Sequence, residues 1–426
     1  MVEMNFLAGD EVRLRLAQEE LDGIVLESHE SGIVLLKLSS GYNIGIPKEN
    51  ILGCRVLKKI ERSEKEEKRS EFKTVKKEGL PTIGLVMTGG TIAAKLDSKR
   101  GGVSWLTDVN EFSRFYPEVF EIANVKQIDV PFMMASESMT SEHWIKIAES
   151  VKKMLDDSEI QGVIVTHGTD TLHFTAAALS FFLPNLNKPV VLTYSQRSID
   201  RASSDAHLNL VCAAKMALSD AAEVMLVGHA TLNDDFCYAL RGTKVRKMHS
   251  SRRDAFQPVN CDPIARVWPE KVEFISEYRK KNSGKAELDV TFSDKIALVK
   301  FYPGQDASIL DFYALKYKGI VLEAVGLGHL PVSEAGHSWI SNLKKHIRAG
   351  FVVCAAAQTE YGRLDPHVYS NGRELVDAGV IFLEDMLAET AFVKLGFVLG
   401  HHGWKGKVKE KMLENLSGEL NKRIGI

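Results

Sequence analysis

The chain lacks three features: an excess of basic residues, long apolar runs and closely spaced cysteines. Its 426 residues carry 54 Lys and Arg against 56 Asp and Glu, which gives a net charge of −2. A protein that binds nucleic acid by itself usually has more basic than acidic residues. We therefore expect any nucleic-acid contact to be local or made through a partner. No stretch reaches the roughly 18 apolar residues of a membrane-spanning helix, so we expect no membrane span.

Cysteine usage is sparse. The odd number of five, the wide spacing and the absence of a CxxC pair predict reduced thiols in a cytoplasm, not a disulfide framework or a zinc site. The first residues carry acids and no apolar core, which argues against a secretory signal. A GxxxxGK[ST] loop for ATP phosphates is also missing from the sequence. We therefore expect a cytoplasmic chain that itself holds neither ATP nor a metal.

The N-terminal part has short apolar segments separated by turn signals. These segments read EVRLRL, LDGIVLES, GIVLLKL, YNIGIP and CRVL. Their alternation and close spacing predict a small β-barrel domain over residues 1–60. Residues 61–80 are dense in charges of both signs and poor in apolar residues, which is typical of a linker.

The pattern changes after residue 81. The apolar runs IGLVM, GVIVT, VVLTY and EVMLVG alternate with helical segments, one of which places five side chains on one face: Trp144, Ile147, Ala148, Val151 and Leu155. This alternation predicts an α/β fold with a mainly parallel sheet that is covered on both sides. We assign a large α/β domain to residues 81–278 and a smaller one to residues 290–426.

Two apolar strands each run into a glycine-flanked threonine. They end in TGGTI (residues 88–92) and HGTDT (residues 167–171), and ligands of open α/β sheets bind beyond the carboxyl ends of strands. Glycines let backbone N–H groups approach a ligand and stabilise an oxyanion. Thr91 and Thr169 offer hydroxyls there, and a hydroxyl becomes a nucleophile once a base takes its proton. Residues 241–256, RGTKVRKMHSSRRDAF, hold lysines crowded by other cations, and such a lysine can serve as that base.

Each of these pieces also has a purely structural interpretation. TGGT can be a tight turn. HGTDT can begin a helix with Thr169 or Asp170 as its N-cap. The basic run can be a solvated loop or a phosphate-binding patch.

Taken together, the motifs resemble those of the bacterial-type L-asparaginase family. GLVMTGGTIA is similar to its first motif, ASESMT to its serine-bearing substrate loop, VIVTHGTDTL to its second motif and RGTKVRKMHSSRRDAF to its lysine segment. The resemblance covers about residues 81–400. It implies an L-asparaginase-like core of a large and a small α/β domain, here preceded by the small β-barrel.

The resemblance also implies roles for individual residues. Thr91 matches the usual nucleophile, Thr169 and Asp170 match the second threonine and its aspartate, and Lys247 matches the catalytic lysine. Ser136 matches the serine that contacts the α-carboxylate of the substrate. Asp170 would bind the α-ammonium, as a free amino-acid end requires a carboxylate there.

Backbone N–H groups at Gly90 and Gly168 complete the expected substrate-binding set. Two positions depart from the family pattern. Ser98 stands where the family usually has a loop tyrosine, and Ser136-Glu137-Ser138-Met139 replaces its SQDM. A changed substrate loop is compatible with a different substrate length or with a need for activation.

With its barrel and linker, the whole chain is similar to the D-subunit family of archaeal glutamyl-tRNA(Gln) amidotransferases, carbon–nitrogen ligases that use glutamine as amide donor. Residues 195–210 and 361–386 resemble that family too. The resemblance implies a glutaminase subunit that binds no cofactor. A partner E subunit would hold Glu-tRNA(Gln), ATP and Mg²⁺, receive the ammonia and form Gln-tRNA(Gln). A heterotetramer built on a homodimer of this chain is implied as well.

Two alternatives remain open at this point. One is a free-standing cytoplasmic L-asparaginase or glutaminase with an extra domain. The other is a binding module whose asparaginase-like core is inactive, although the retained Thr91, Thr169, Asp170 and Lys247 argue against it. The sequence does not separate glutamine from asparagine as substrate, and it does not say which threonine attacks first.

Overall fold

The structure is a computed structural model. It describes residues 6–26, 32–39, 43–59, 77–96, 103–105, 116–199, 203–333 and 335–423. Most of the predicted linker and Ser98 lie outside the described residues.

The N-terminal part forms a five-stranded antiparallel sheet in the order β4-β3-β2-β1-β5. Its strands are β1 Glu11–Arg15, β2 Glu20–Leu26, β3 Ile33–Leu38, β4 Asn43–Pro47 and β5 Gly53–Lys58. Alternation decides which side chains are inside: in β1, Val12 and Leu14 are fully buried, whereas Glu11, Arg13 and Arg15 are exposed. The five strands predicted from the sequence are confirmed.

An eight-stranded sheet dominates the next part of the chain, in the order β17-β16-β13-β12-β11-β10-β6-β9. Strands β9, β6, β10, β11 and β12 are parallel to one another, and the pairings of β12 with β13, β13 with β16 and β16 with β17 are antiparallel. Two hairpins, β7 with β8 and β14 with β15, stand apart from it. The strands of this part are β6 Thr82–Met87, β7 Ala94–Leu96, β8 Val103–Trp105, β9 Asn124–Asp129, β10 Ile160–Thr166, β11 Val190–Thr193, β12 Val224–His229, β13 Cys237–Arg241, β14 Val245–Lys247, β15 Phe256–Pro258, β16 Ala265–Val267 and β17 Val272–Phe274.

Helices cover both faces of this sheet, as predicted. Their bounds are α1 Val119–Ile122, α2 Ser141–Leu155, α3 Leu172–Phe182 and α4 Ala206–Ala217. One core lies between the sheet and α2 and α3, and a second lies between the sheet and α1 and α4. The five α2 side chains that the sequence placed on one face are all buried.

The C-terminal part is a four-stranded parallel sheet in the order β18-β19-β20-β21. Its elements are β18 Ile296–Lys300, α5 Ile309–Lys316, β19 Gly319–Ala324, α6 Ile340–Arg348, β20 Val352–Ala357, α7 Ser370–Ala378, β21 Ile381–Phe382, α8 Ala388–Gly400 and α9 Val408–Leu413. The sheet packs on α5, α6 and α7 on one side and on α8 and α9 on the other.

Helix α8 joins the two α/β parts. Ala391, Leu395 and Val398 face the small sheet, whereas Val393 and Phe397 join the core beside α3. The rings of Phe397 and Phe181 of α3 stack with centroids 6.0 Å apart.

All five cysteines are free. Within the described part of the chain, every helix is too short or too polar to cross a membrane.

Candidate active site

The two threonine motifs begin side by side at one edge of the large sheet. Strands β6 and β10 are parallel neighbours, with Met87 opposite Thr166 at their carboxyl ends. The backbone N–H and the hydroxyl of Thr88 both donate to the Thr166 carbonyl oxygen, at 3.2 and 2.9 Å. Long-range strand pairing therefore brings together two segments that lie almost 80 residues apart.

The glycines of the motifs allow the loops to touch one another. Gly90 has φ 80°, and a Cβ on it would lie 2.5 Å from the Gly168 nitrogen. A Cβ on Gly168 would lie 2.8 Å from Ser136 Oγ. Because Thr91 and Thr169 directly follow these glycines, the close backbone contact sets the two hydroxyl-bearing residues at one place. The sequence attributed the glycines to a nearby ligand, and the structure adds this packing requirement.

Backbone donors remain free at this contact. The N–H groups of Gly90 and Gly168 donate to no atom among the described residues. Paired N–H groups at the end of a strand are the usual means of stabilising an oxyanion. Within the described residues, both N–H groups are therefore available for the role predicted for them.

Lys247 lies on the β14–β15 hairpin and reaches the second motif. Its Nζ donates to Thr169 Oγ1 at 2.9 Å and to Asp170 Oδ1 at 2.8 Å. The side chain of Lys247 is 11% exposed, whereas that of Asp170 is 61% exposed. The lysine is therefore held inside, and the carboxylate is open to a substrate ammonium.

Ser136 lies in a 3-10 turn beside the second motif and is buried. Its Oγ accepts hydrogen bonds from the backbone N–H groups of Asp170 and Thr171, at 3.1 and 3.4 Å. The hydroxyl of Thr171 donates in return to the Ser136 carbonyl oxygen at 2.7 Å. Ser136 thus holds the turn that carries Asp170, and its contact with a substrate carboxylate stays a prediction.

A buried histidine that the sequence analysis did not single out supports the same turn. His167 Nδ1 lies 2.7 Å from the Gly168 carbonyl oxygen, and Nε2 lies 2.9 Å from Thr175 Oγ1. A carbonyl can only accept, so Nδ1 carries the proton and Nε2 accepts from the threonine hydroxyl. Burial lowers the pKa of His167 to about 4, which keeps this imidazole neutral. The sequence shows that His167 belongs to HGTDT, but its burial depends on the packing of distant segments.

Tyr116 is a second residue that the sequence analysis missed. Its buried hydroxyl donates to the Ile92 carbonyl oxygen at 2.7 Å, one residue beyond Thr91. Burial, with a contribution from Asp205, raises the pKa of this phenol, so it remains a donor. No periodicity or motif in the sequence links this tyrosine to the first motif.

Arg246, the neighbour of Lys247, reaches into the small domain. Arg246 Nη2 lies 2.7 Å from Glu389 Oε2 of α8, and Nη1 lies 2.8 Å from Glu360 Oε2. Since adjacent strand residues point in opposite directions, Lys247 faces the threonines while Arg246 anchors the hairpin.

Among the described residues, no three His, Cys, Asp or Glu side chains lie close enough together to hold a metal ion.

Comparison with known families identifies asparaginase-type domains in this chain. The profile "Asparaginase, N-terminal" matches residues 82–280, and "Glutaminase/Asparaginase C-terminal domain" matches residues 295–412. The profile "GatD N-terminal domain" matches residues 6–57. The two asparaginase profiles together span most of the chain.

Among solved structures, the thermostable L-asparaginase of Thermococcus kodakarensis superposes with a TM-score of 0.71 at 29% identity, covering 80% of this chain and 100% of its own. L-asparaginase I of Vibrio cholerae gives a TM-score of 0.67 at 27% identity, with 80% and 99% coverage. The L-asparaginase-like core predicted from the sequence is confirmed.

Full-length relatives carry a more specific name. The D subunit of the glutamyl-tRNA(Gln) amidotransferase of Thermococcus kodakarensis is 47% identical over 97% of this chain and 94% of its own length. The D subunits from Pyrococcus furiosus and Archaeoglobus fulgidus are 46% and 42% identical, over 97% of this chain and 94% and 95% of their own lengths. The chain therefore belongs to the family of glutamyl-tRNA(Gln) amidotransferase D subunits.

Proposed function

We propose that this chain is a glutaminase that releases ammonia for a tRNA-dependent amidotransferase. The observation that carries the proposal is the position of Lys247, whose Nζ bridges Thr169 Oγ1 and Asp170 Oδ1 at 2.9 and 2.8 Å. A base, a hydroxyl and a carboxylate open to an ammonium are the groups that amide hydrolysis of a free amino acid requires.

The substrate would bind through its α-groups. Its ammonium would lie on Asp170, and its carboxylate would lie near the Ser136 loop. Occupation of Asp170 by an ammonium would draw that carboxylate from Lys247 and place a second cation beside it. Lys247 Nζ would keep its contact with Thr169 Oγ1, through which the proton of the nucleophile can reach it.

Thr91 Oγ would then form a bond to the side-chain amide carbon, and its proton would pass through Thr169 to Lys247. The N–H groups of Gly90 and Gly168 would stabilise the oxyanion. Cleavage of the carbon–nitrogen bond transfers a proton to the leaving nitrogen and releases ammonia. Attack by water on the resulting Thr91 ester gives glutamate and restores the threonine hydroxyl.

A partner would use the ammonia. We propose that an E subunit binds Glu-tRNA(Gln), ATP and Mg²⁺ and converts the glutamyl group to glutaminyl, while this chain contributes a homodimer to a heterotetramer. The names of the relatives and the match to the "GatD N-terminal domain" profile support a role within such a complex. The near-zero net charge of this chain fits tRNA binding mainly through the partner.

Ammonia release from glutamine and from asparagine tests the proposal. The purified chain should be assayed alone, and then with the E subunit and Glu-tRNA(Gln). Low activity alone that rises with partner and tRNA, and that prefers glutamine, is the expected result. Fast asparagine hydrolysis that is indifferent to both additions would instead identify a free-standing asparaginase, a function that the L-asparaginase-like core also allows.

A further inference from the structure

Helix α5 of the small domain has more exposed apolar surface than a solvent-facing helix normally carries. Its sequence, ILDFYALK, is apolar nearly all round, yet of its eight described residues only Leu310 is buried. Phe312 is 47% exposed and Leu315 is 86% exposed. Helices that are apolar on every face are normally covered by other structure, so the outer face of α5 is suited to contact with something beyond this domain.

A groove of about 790 Å³ lies beside this helix. It is bounded by α5, by the end of α6 and by the segment that follows α8. Apolar residues of its lining, here called the floor, include Ala314, Leu315, Phe351, Val398 and Leu399. A groove of this size can take several side chains of a folded or extended segment.

The rim of the groove is cationic. Lys318, Lys345 and Lys405 line it, and among its described lining residues the only carboxylate is that of Asp311. That carboxylate is already engaged, because Lys345 Nζ lies 2.8 Å and His346 Nε2 lies 2.6 Å from Asp311 Oδ1. Within the described chain, neither Lys318 nor Lys405 forms an ion pair. The groove therefore combines an apolar floor with unneutralised positive charge.

We propose that this groove is the docking surface for a segment of the partner subunit that carries apolar side chains flanked by carboxylates. The inference rests on the proposed function, in which the chain works with an E subunit. Apolar anchors would fill the floor and cover Leu315, and acidic side chains would pair with Lys318 and Lys405. Such a combination of a buried apolar centre and a charged rim is typical of specific protein interfaces.

Two other occupants fit the groove less well. RNA would pair its phosphates with the lysines but would leave the floor and Leu315 uncovered. A second copy of this chain, related by a two-fold axis, would bring the same patch against itself. The lysines of both copies would then face one another, which is electrostatically unfavourable.

The groove is separate from the catalytic groups, because none of the catalytic residues assigned above lines it. Changes at Leu315 should therefore leave the ammonia release of the isolated chain unaltered. This separation allows docking and catalysis to be measured independently on the same variants.

The test compares Leu315→Asp with Ile275→Asp, which alters an apolar residue on the large domain that is 38% exposed. Binding of each full-length variant to the purified E subunit is measured by calorimetry. We expect Leu315→Asp to weaken binding at least about tenfold, as for a central interface anchor. Ile275→Asp should stay within about twofold of wild type, and basal ammonia release should be unchanged in both.

A second pair of variants tests the charges. The double variant Lys318→Glu, Lys405→Glu should bind the E subunit more weakly, and its binding should depend less on salt. Lys271 lies outside the groove, so Lys271→Glu should change neither the affinity nor its salt dependence. Equal salt dependence in the double variant and the wild type would contradict the charged rim.

The outcomes separate this inference from the proposed function. If the wild-type chain does not bind the E subunit, the proposed partnership fails and the docking surface fails with it. If the wild type binds and Leu315→Asp binds equally well, only the docking surface is overturned. An effect of Leu315→Asp on self-association in sedimentation, or on tRNA binding without the partner, would also overturn it in favour of those occupants.

Discussion

The turn that carries Thr169 and Asp170 is held by a few side chains and backbone groups. Lys247 is held in the site, since its Nζ donates to Thr169 and Asp170 and its side chain is almost buried. Beside it, Gly90 and Gly168 keep N–H groups that no acceptor in the described chain engages. The groups therefore stand preorganised, and rotation of one of them would be resisted by the others.

Removal of the proposed nucleophile or base should abolish glutaminase activity. We expect Thr91→Ala, Thr169→Ala and Lys247→Ala each to lower the rate of ammonia release by at least about a hundredfold, the usual contribution of a positioned base or nucleophile. Release is measured with the E subunit and Glu-tRNA(Gln) present, and circular dichroism checks the fold. Lys271→Ala, which alters an exposed lysine, is the control. A wild-type rate in any folded variant of the three removes that residue from the scheme.

Two buried histidines should make stability depend on pH. Burial lowers the pKa of His167 and of His173 to about 4, from 6.5. Between these values the unfolded chain binds more protons than the folded chain, so the free energy of unfolding falls as the pH drops from about 6.5 towards about 4. This destabilisation is absent well above pH 6.5, and it reaches roughly 3 kcal/mol for each histidine below about pH 4.

Urea unfolding at several values of pH between 7.5 and 5 measures this dependence. His173→Gln should reduce the slope. His173 Nδ1 has no described hydrogen-bond partner, so the substitution breaks no hydrogen bond at that atom, although it removes ring packing against Phe174 and Phe256. His337→Gln, at an exposed position, should leave the slope unchanged. A slope in His173→Gln equal to that of the wild type would show that this imidazole does not control the acid response.

Among the structural elements, the loop after β6 and the loop after β10 form one unit through their glycines. A side chain at Gly90 would meet the Gly168 backbone, and it would also adopt a φ of 80° that L residues rarely take. Ser136 completes the unit from a third segment. The spacing of the hydroxyls from the backbone donors therefore depends on three loops at once.

Gly90→Ala should lower stability and ammonia release by more than the strain of a positive φ at an alanine would cause. Gly304 provides the matched control, because its φ is 82° and a Cβ there would meet no atom within 4 Å. We expect Gly304→Ala to lower the free energy of unfolding by about 1 kcal/mol. Gly90→Ala should cost clearly more and should reduce ammonia release at least about tenfold, through loop displacement. Equal effects of the two changes in urea unfolding and in activity would refute the contact.

The elements themselves were largely predictable, and the contacts between their ends were not. Alternation in EVRLRL predicts β1, and the spacing of Trp144, Ile147 and Val151 predicts the buried face of α2, because both patterns are local. Gly90 and Gly168 read equally well as turn residues. Only the pairing of β6 with β10 shows that they touch.

Over the whole molecule, the two α/β domains are held together by shared apolar packing and by buried charge. Lys244 of the large domain donates to Asp385 Oδ2 of the small domain at 2.7 Å, and both side chains are fully buried. Burial lowers the pKa of Lys244, and Asp385 opposes that effect. Asn421 also donates to the Asp385 carboxylate, at 3.0 Å from its backbone N–H and 2.9 Å from its side chain, which ties the C-terminal segment to the same junction.

Breaking this buried pair should destabilise both domains together. Asp385→Asn leaves the Lys244 ammonium without its counter-charge, and we expect the free energy of unfolding to fall by about 3–5 kcal/mol. Glu360→Gln alters the Arg246 ion pair across the same junction, but the Glu360 side chain is 57% exposed, so its loss should cost less than about 1 kcal/mol. Urea unfolding measures both variants. A small effect of Asp385→Asn would mean that the domains do not depend on this pair.

Local patterns in the amino-acid sequence were sufficient to predict the five N-terminal strands, the alternation of strands and helices after residue 81, the buried face of α2 and the resemblance of the motifs. Alternation and helical periodicity arise within a few residues, and motif resemblance requires only the order of residues along the chain. Tertiary structure alone decided that Lys247 bridges Thr169 and Asp170, that His167 is buried and neutral, and that Lys244 meets Asp385. These features depend on burial and on contacts between distant segments, which set the local dielectric and the available partners, and no short stretch of sequence encodes them.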